Sequence, residues 1–313
     1  MRTNNNFYLI DIKSDCIDMI ISSYTLWLNN EYRYLFTECL GFKIDHEQNT
    51  WGNRIIIDKG DLLDIAIREK MLKAIQIKRE DLNLSSLIDL TAEYSPILIK
   101  IDEYKCKWRK NYKKIHKNHF LLVTEYTDKS GVFRCIDTYP TDYNLILSYD
   151  EIRDNSIEIL CIDSNVGGLI NKSKHLFDPI ITKLQHKDYI GTMLDRKLYF
   201  AQQIRYNFEI KDELYGYENL DIIEIPIVRK FKSIAWSWHQ IKYLLEYMND
   251  CEMNQLFNIL EHIIIEWEKI TNILVMKIIR LDSNIINISN KIIHLVEMEN
   301  NFINEVINYM DGT

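Results

Sequence analysis

The stretch from Pro96 to Pro140, PILIKIDEYKCKWRKNYKKIHKNHFLLVTEYTDKSGVFRCIDTYP, decides the fold. Its first apolar run, Ile97 to Ile101, reads as a buried strand. His119 opens a second run, FLLVTEY, and a Lys-Ser-Gly turn leads into a third, VFRCID, which ends on Asp137. Two such runs around a short glycine-bearing turn form a hairpin. Pairing the strands outward from the turn brings Asp137 within a few residues of the position opposite His119, so the carboxylate can orient the imidazole. A histidine held by an acid is half of a nucleophile-activating site. The other half would be a Cys or Ser from elsewhere, and the best placed is Cys16, in SDCIDMIISSYTLWL.

Upstream, Phe7 to Ile12 is a short apolar run, after which Ser14 or Asp15 offers an N-cap to an amphipathic helix from about Cys16 to Asn29. A thiol in a first turn feels the positive end of the helix and its unpaired N–H groups, which favour thiolate, while Asp15 beside it opposes that effect. Alone, a cysteine at a helix start reads as a small buried hydrophobe, and the His119/Asp137 hairpin is what turns the reading towards catalysis. Residues 31 to 60 look irregular, with a strand at Arg54 to Ile57. Helical spacing runs through LLDIAIREKMLKAI, starting at Asp61 or Asp64, with a short strand, IQIKRE, behind it. A second helix, Ser85 to Tyr94, stops before Pro96, because the residue preceding a proline is pushed out of helical geometry.

After the hairpin come a strand around Asn144 to Leu147, a helical turn at Tyr149 to Asp154 and a buried strand, Ile157 to Asp163. Helices followed by a mostly antiparallel sheet define an α+β domain, placed at 1–165. Beyond Asn165-Val-Gly-Gly the texture turns helical to the end, a second domain at 166–313. One helical run covers PIITKLQHKDYIGTMLDRKLYFAQQIRYNF, and Pro226 interrupts a strand-like DIIEIPIV. Further helical segments span SIAWSWHQIKYLLEYMND, Glu252 to Leu281 and Asn284 to Met310; Trp236, Trp238 and His239 read as helix core or interface.

The chain has 313 residues, 47% of them hydrophobic, with few glycines and prolines, enough for a packed core. A formal net charge of -8 argues against a nucleic-acid partner. Cysteines at 16, 39, 106, 135, 161 and 251 include no CxxC pair and lack the density of a disulfide scaffold. No secretory signal opens the sequence and no apolar run is long enough to span a membrane, so the expected location is cytoplasmic, with no membrane partner. His116 and His119 form an HxxH, but without a third ligand or helical spacing it predicts no metal. Asp102, closing its strand, reads first as a turn-capping carboxylate and second as a residue facing the cleft.

Cys16, His119 and Asp137 follow the chain order of papain-like enzymes, in which a helix start meets strand ends in a cleft. PILIKIDEY, then Trp108, Tyr112 and His116, then HFLLVTEYTD and VFRCIDTYP, resemble the N-terminal domain of the butirosin-biosynthesis BtrH family, and more loosely the bacteriocin-processing cysteine peptidases. The resemblance covers about half the chain. It implies a papain-like fold and a cysteine acyltransferase of natural-product (antibiotic or nonribosomal peptide) assembly, moving an acyl group from a carrier-protein thioester to an amine. Cys16 would be nucleophile, His119 general base and acid, and Asp137 its orienter.

No cofactor is expected; the acyl donor would ride on the phosphopantetheine arm of an acyl or peptidyl carrier protein, and the acceptor would be a small-molecule amine. Asp102, Trp108, Lys110, Tyr112, Lys113, Lys114 and His116 are the residues expected to meet substrate or carrier. They lie in a loop that also holds Lys105, Lys107, Arg109 and Lys117, a basic lip in an acidic chain that would steer an acidic partner. Two positions depart from the pattern: Glu125 stands where a glycine follows the His strand, and Ile10 where papain-like enzymes carry an oxyanion-hole amide. Either backbone N–H groups of Cys16 and its neighbour would then serve the oxyanion, or the active site is a decayed one. The same three residues would also suit a hydrolase, and a silent carrier-binding adaptor is the non-enzymatic alternative. The helical half either shapes the substrate pocket or forms a homodimer interface.

Overall fold

The computed structural model describes residues 7–138, 145–164, 174–248 and 253–311. The chain begins with helix α1 (Cys16–Trp27), followed by a two-stranded pair, β1 (Lys43–Ile44) and β2 (Ile55–Ile56), around the one-turn helix α2 (Trp51–Arg54). Then come α3 (Leu62–Arg68), β3 (Leu72–Ile77), α4 (Leu84–Tyr94), β4 (Ile97–Asp102), β5 (Asn118–Thr127), β6 (Val132–Asp137), β7 (Leu145–Ser148), α5 (Tyr149–Asn155) and β8 (Ser156–Ser164). Helices α6 (Asp178–Gln185), α7 (Met193–Asn207), α8 (Ile210–Leu214), α9 (Pro226–Met248), α10 (Asn254–Ile279) and α11 (Ile286–Asp311) complete it. Among the described residues no helix is long and apolar enough to cross a membrane.

The architecture is α+β, in two compact units. Residues 7–32 and 61–164 belong to the first, and 33–60 with 174–311 to the second. The segment 33–60, expected in the first domain, thus packs with the helical half, while the expected boundary at 165 falls outside the described residues.

In the first unit six strands form an antiparallel sheet in the order β3-β8-β4-β5-β6-β7. Period-two alternation puts Ile97, Ile99, Ile101, Leu121, Val123 and Cys135 on one face, where they pack with Leu87 of α4 and Ile152 of α5. The β5–β6 turn uses Gly131 at a φ of 66°, as the sequence turn requires. Helix α1 is capped by Asp15, whose side chain accepts from Asp18 N, and ends where Asn29 takes a left-handed φ of 61°. Its inward side carries Ile20, Ile21 and Tyr24, all fully buried, and the Tyr24 hydroxyl donates to the Pro96 carbonyl. The helical pattern through LLDIAIREKMLKAI is cut at Arg68: Lys70 turns left-handed, and Leu72 onward pairs with β8, so edge pairing overrides helical spacing.

In the second unit α10 packs against both α9 and α11, and α7 lies on α11. Phe200, Phe231, Trp238, Trp267 and Phe302 fill the core in edge-on ring contacts. Pro226 does not interrupt a strand but opens α9, a position where its missing N–H costs nothing. The single helical run expected over 179–208 is two helices, α6 and α7. Gly191 separates them at a φ of 128°, and Thr192 caps the second in a capping box with Asp195.

Candidate active site

Register places the site. Ile101 pairs with His119 and Asp102 with Asn118 across β4 and β5, while Leu121 pairs with Asp137 across β5 and β6. His119 and Asp137 therefore sit on one face, two residues apart along the ladder, and their side chains meet: His119 Nε2 lies 2.6 Å from Asp137 Oδ1. Both residues are 3% exposed, so the contact is shielded from water.

The long β4–β5 connection folds back over this pair. Trp108 Nε1 donates to Asp137 Oδ2 at 3.0 Å, and Arg109 Nη1 to Asp137 Oδ1 at 3.1 Å. Arg109 Nη2 donates to Glu103 Oε1 at 2.8 Å, and Asn111 Nδ2 to Glu103 Oε2 at 2.6 Å. Glu103 Oε1 in turn lies 3.7 Å from His119 Nδ1. The loop is held by its own backbone bonds, Glu103 N to Lys117 O and Lys113 N to Tyr104 O. Arg109, grouped by sequence with the basic lip, is buried inside the cluster rather than displayed on it. Glu103, Arg109 and Asn111 were not legible as site residues: Glu103 reads as a turn acid after Asp102, and Arg109 is one cation among many.

Most of the loop's lysines face outward. Lys105, Lys107, Lys110, Lys113 and Lys114 are exposed, and Lys113 Nζ sits 5.3 Å from the centre of the half-buried Tyr112 ring. Asp102 caps the turn at Tyr104 N, and also accepts from His116 Nδ1 at 2.8 Å. His116 is exposed and stacked on Tyr104 with ring centres 4.1 Å apart. Its pairing with His116 and the bond from Tyr104 N hold the Asp102 carboxyl below its usual range, against the opposing effect of burial.

Cys16 occupies the first position of α1, half-buried. Burial, reinforced by Asp15, pushes its thiol up to about 12, against the opposing fields of Lys117 and Arg109. The fields of Lys117, Arg109 and Glu103 reach this sulfur, which places it near the β4–β5 loop. No hydrogen bond joins Cys16 Sγ to His119, whose polar partners are Asp137 and Glu103. The backbone N–H groups of Cys16 and Ile17 have no acceptor among the described residues, as first-turn amides do. Among those residues no group of three or more His, Cys, Asp or Glu side chains is placed to hold a metal ion. Chemically, the arrangement offers a neutral thiol, a histidine oriented by an acid, and two free amides. No protein-family model and no curated protein matches the chain.

Proposed function

We propose that the first unit is a papain-like cysteine acyltransferase of the BtrH-like kind, loaded from a carrier-protein thioester and discharged onto an amine. The observation that carries this reading is the buried His119–Asp137 bond in the same unit as a cysteine that heads a capped helix. With Nε2 engaged by Asp137, Nδ1 is the nitrogen left to take a proton from a thiol. Because the Cys16 thiol is neutral at rest, its proton leaves for His119 as sulfur attacks the thioester carbonyl. A new C–S bond forms, the carrier C–S bond breaks, and His119 returns the proton to the departing thiolate. An amine then attacks the acyl-cysteine; a C–N bond forms, the C–S bond breaks, and the amine proton passes through His119 to Cys16. The free amides of Cys16 and Ile17 supply donors for the oxyanion in both steps. The exposed lysines of the β4–β5 loop suit an acidic carrier bearing a phosphorylated arm.

Mass spectrometry after incubation with an acyl thioester tests the reading. An adduct on Cys16 that moves to an added amine is the expected result, and Cys16→Ser should abolish it without unfolding the chain. Discharge to water would make the protein a hydrolase, and an unreactive Cys16 with retained carrier binding would leave a binding partner.

A further inference from the structure

Two buried carboxylates face one imidazole. Asp137 lies 2.6 Å from Nε2 of His119 and Glu103 lies 3.7 Å from Nδ1, with Arg109 bonded to both acids. Glu103 is fully buried, and its second oxygen is held by Asn111. When both acids are ionised, Arg109 offsets one negative charge, and a second proton on His119 offsets another. In a site from which water is excluded, that balance is felt strongly. The groups whose charges meet here come from four elements: Asp137 from β6, Glu103 and Arg109 from the β4–β5 loop, His119 with the neighbouring Lys117 at the base of β5, and Cys16 from α1.

We infer that Glu103 is a positioning residue: it fixes the His119 ring between two carboxylates and balances the imidazolium formed when His119 takes the proton of Cys16. This rests on the acyl-transfer reading for its consequence, but not for its geometry. A carboxylate at each ring nitrogen fixes ring rotation, and the Glu103 side supplies a partner for the Nδ1–H that appears only after proton transfer. Asp137 alone would orient the ring but leave the developing charge half-compensated. A residue that merely ties the loop together would support the fold without discriminating between the two protonation states of the ring.

The test compares Glu103→Gln, Glu103→Asp and Arg109→Gln in the full chain. Loading of Cys16 from a small acetyl thioester is followed by mass spectrometry between about pH 5 and 9, alongside the His119 ring proton by NMR. Glu103→Gln should move both the NMR titration and the acid limb of loading to lower pH, and cut the loading rate about 10- to 100-fold at neutral pH. Arg109→Gln should move both to higher pH, and Glu103→Asp should restore the wild-type profile. Movement in the same direction for both neutral variants, or in neither, would overturn the inference. If one substitution leaves the chain unfolded, the sign of the other decides. A wild-type chain that never loads Cys16 removes the acyltransferase reading, while the two NMR shifts still decide the role of Glu103.

Discussion

A cysteine at the head of a helix ordinarily gains thiolate character from the free amides around it, and Cys16 does not. Desolvation raises its pKa, and Asp15, which caps the helix, is also the negative charge that acts most strongly on the sulfur. The residue that stabilises α1 thus suppresses its own neighbour's ionisation, which leaves the proton to be removed by a base at the moment of attack. Iodoacetamide should therefore modify Cys16 slowly at neutral pH, with a rate that keeps climbing beyond about pH 10 instead of levelling near an ordinary thiol's range. Cys39, Cys106, Cys135 and Cys161 are buried, so Cys16 should react first among the described cysteines. Asp15→Asn keeps a capping oxygen and removes the charge; it should raise the alkylation rate at any given pH. A plateau near pH 9 in the wild type would show that the thiol is not suppressed. The sign extends to stability: a thiol raised from 9.0 to about 12 favours the fold below pH 9, and that contribution fades as pH climbs towards 12.

At the scale of elements, the β4–β5 loop has two sides made from one charge run. Arg109 and Glu103 turn inward to the dyad, while Lys110, Lys113 and Lys114 stay in solvent. Reversing those three lysines to Glu should slow loading from a carrier protein and flatten its salt dependence, yet leave loading from a small uncharged thioester nearly unchanged. Equal losses with both donors would mean that the loop supports the dyad and docks nothing. The strands that build this site were legible because alternation and a glycine turn mark the hairpin, but counting outward from the turn pairs Asp137 with Leu122, on the other face. A bulge between Val123 and Glu125, which no local pattern announced, shifts the pairing to Leu121 and brings Asp137 to the face of His119. The inward turn of Glu103 was not legible either, because it depends on a non-repeating loop whose partners lie six and eight residues away. Helix α8 offers a second elemental case in the other unit. Its Glu213 accepts from the amides of Trp51 and Gly52, at a point where a Cβ on Gly52 would collide with the α9 backbone at Ile227. Burial raises this carboxyl to about 7, despite the two amide bonds. Since the folded value lies above the unfolded one, stability is fully present below 4.5 and is lost as pH rises through 7, by up to about 3 kcal/mol. Thermal melts should show that decline, and Glu213→Gln should flatten it; an unchanged slope would mean that Glu213 is ionised throughout.

Across the whole molecule, the chain leaves the first unit at residue 32 and re-enters it at 61, so the second unit is assembled from separated stretches. A sequence reading by texture joins neighbours along the chain, and residues 33–60 carry no helical texture that would assign them to the helical half. What ties that half together at its centre is an ion pair that composition also hides. Lys197 Nζ lies 2.8 and 2.7 Å from the two oxygens of Glu299, and both residues are almost wholly buried. Trp238 and Trp267 donate their indole N–H groups to Glu299 Oε1 at 3.0 and 2.8 Å, and the ammonium lies 5.5 and 5.3 Å from the same two ring centres. One carboxylate therefore joins α7, α9, α10 and α11. Burial lowers the Lys197 pKa while Glu299 opposes that shift, the balance expected of an ammonium that survives in a core only through its partner. Glu299→Gln turns an amide nitrogen towards an uncompensated ammonium and should destabilise the unit by about 3–5 kcal/mol. Lys197→Met alone leaves the carboxylate with only the two indole donors and should cost less, because each indole bond is charge-assisted. When Lys197→Met and Glu299→Gln are combined, the new carboxamide oxygen would accept both indoles beside a thioether chain of matching reach, and most of the loss should be recovered. Denaturant unfolding followed by tryptophan fluorescence measures all three. If the double variant is no more stable than Glu299→Gln, the loss came from disturbed packing around Trp238 and Trp267 and not from the unpaired charge.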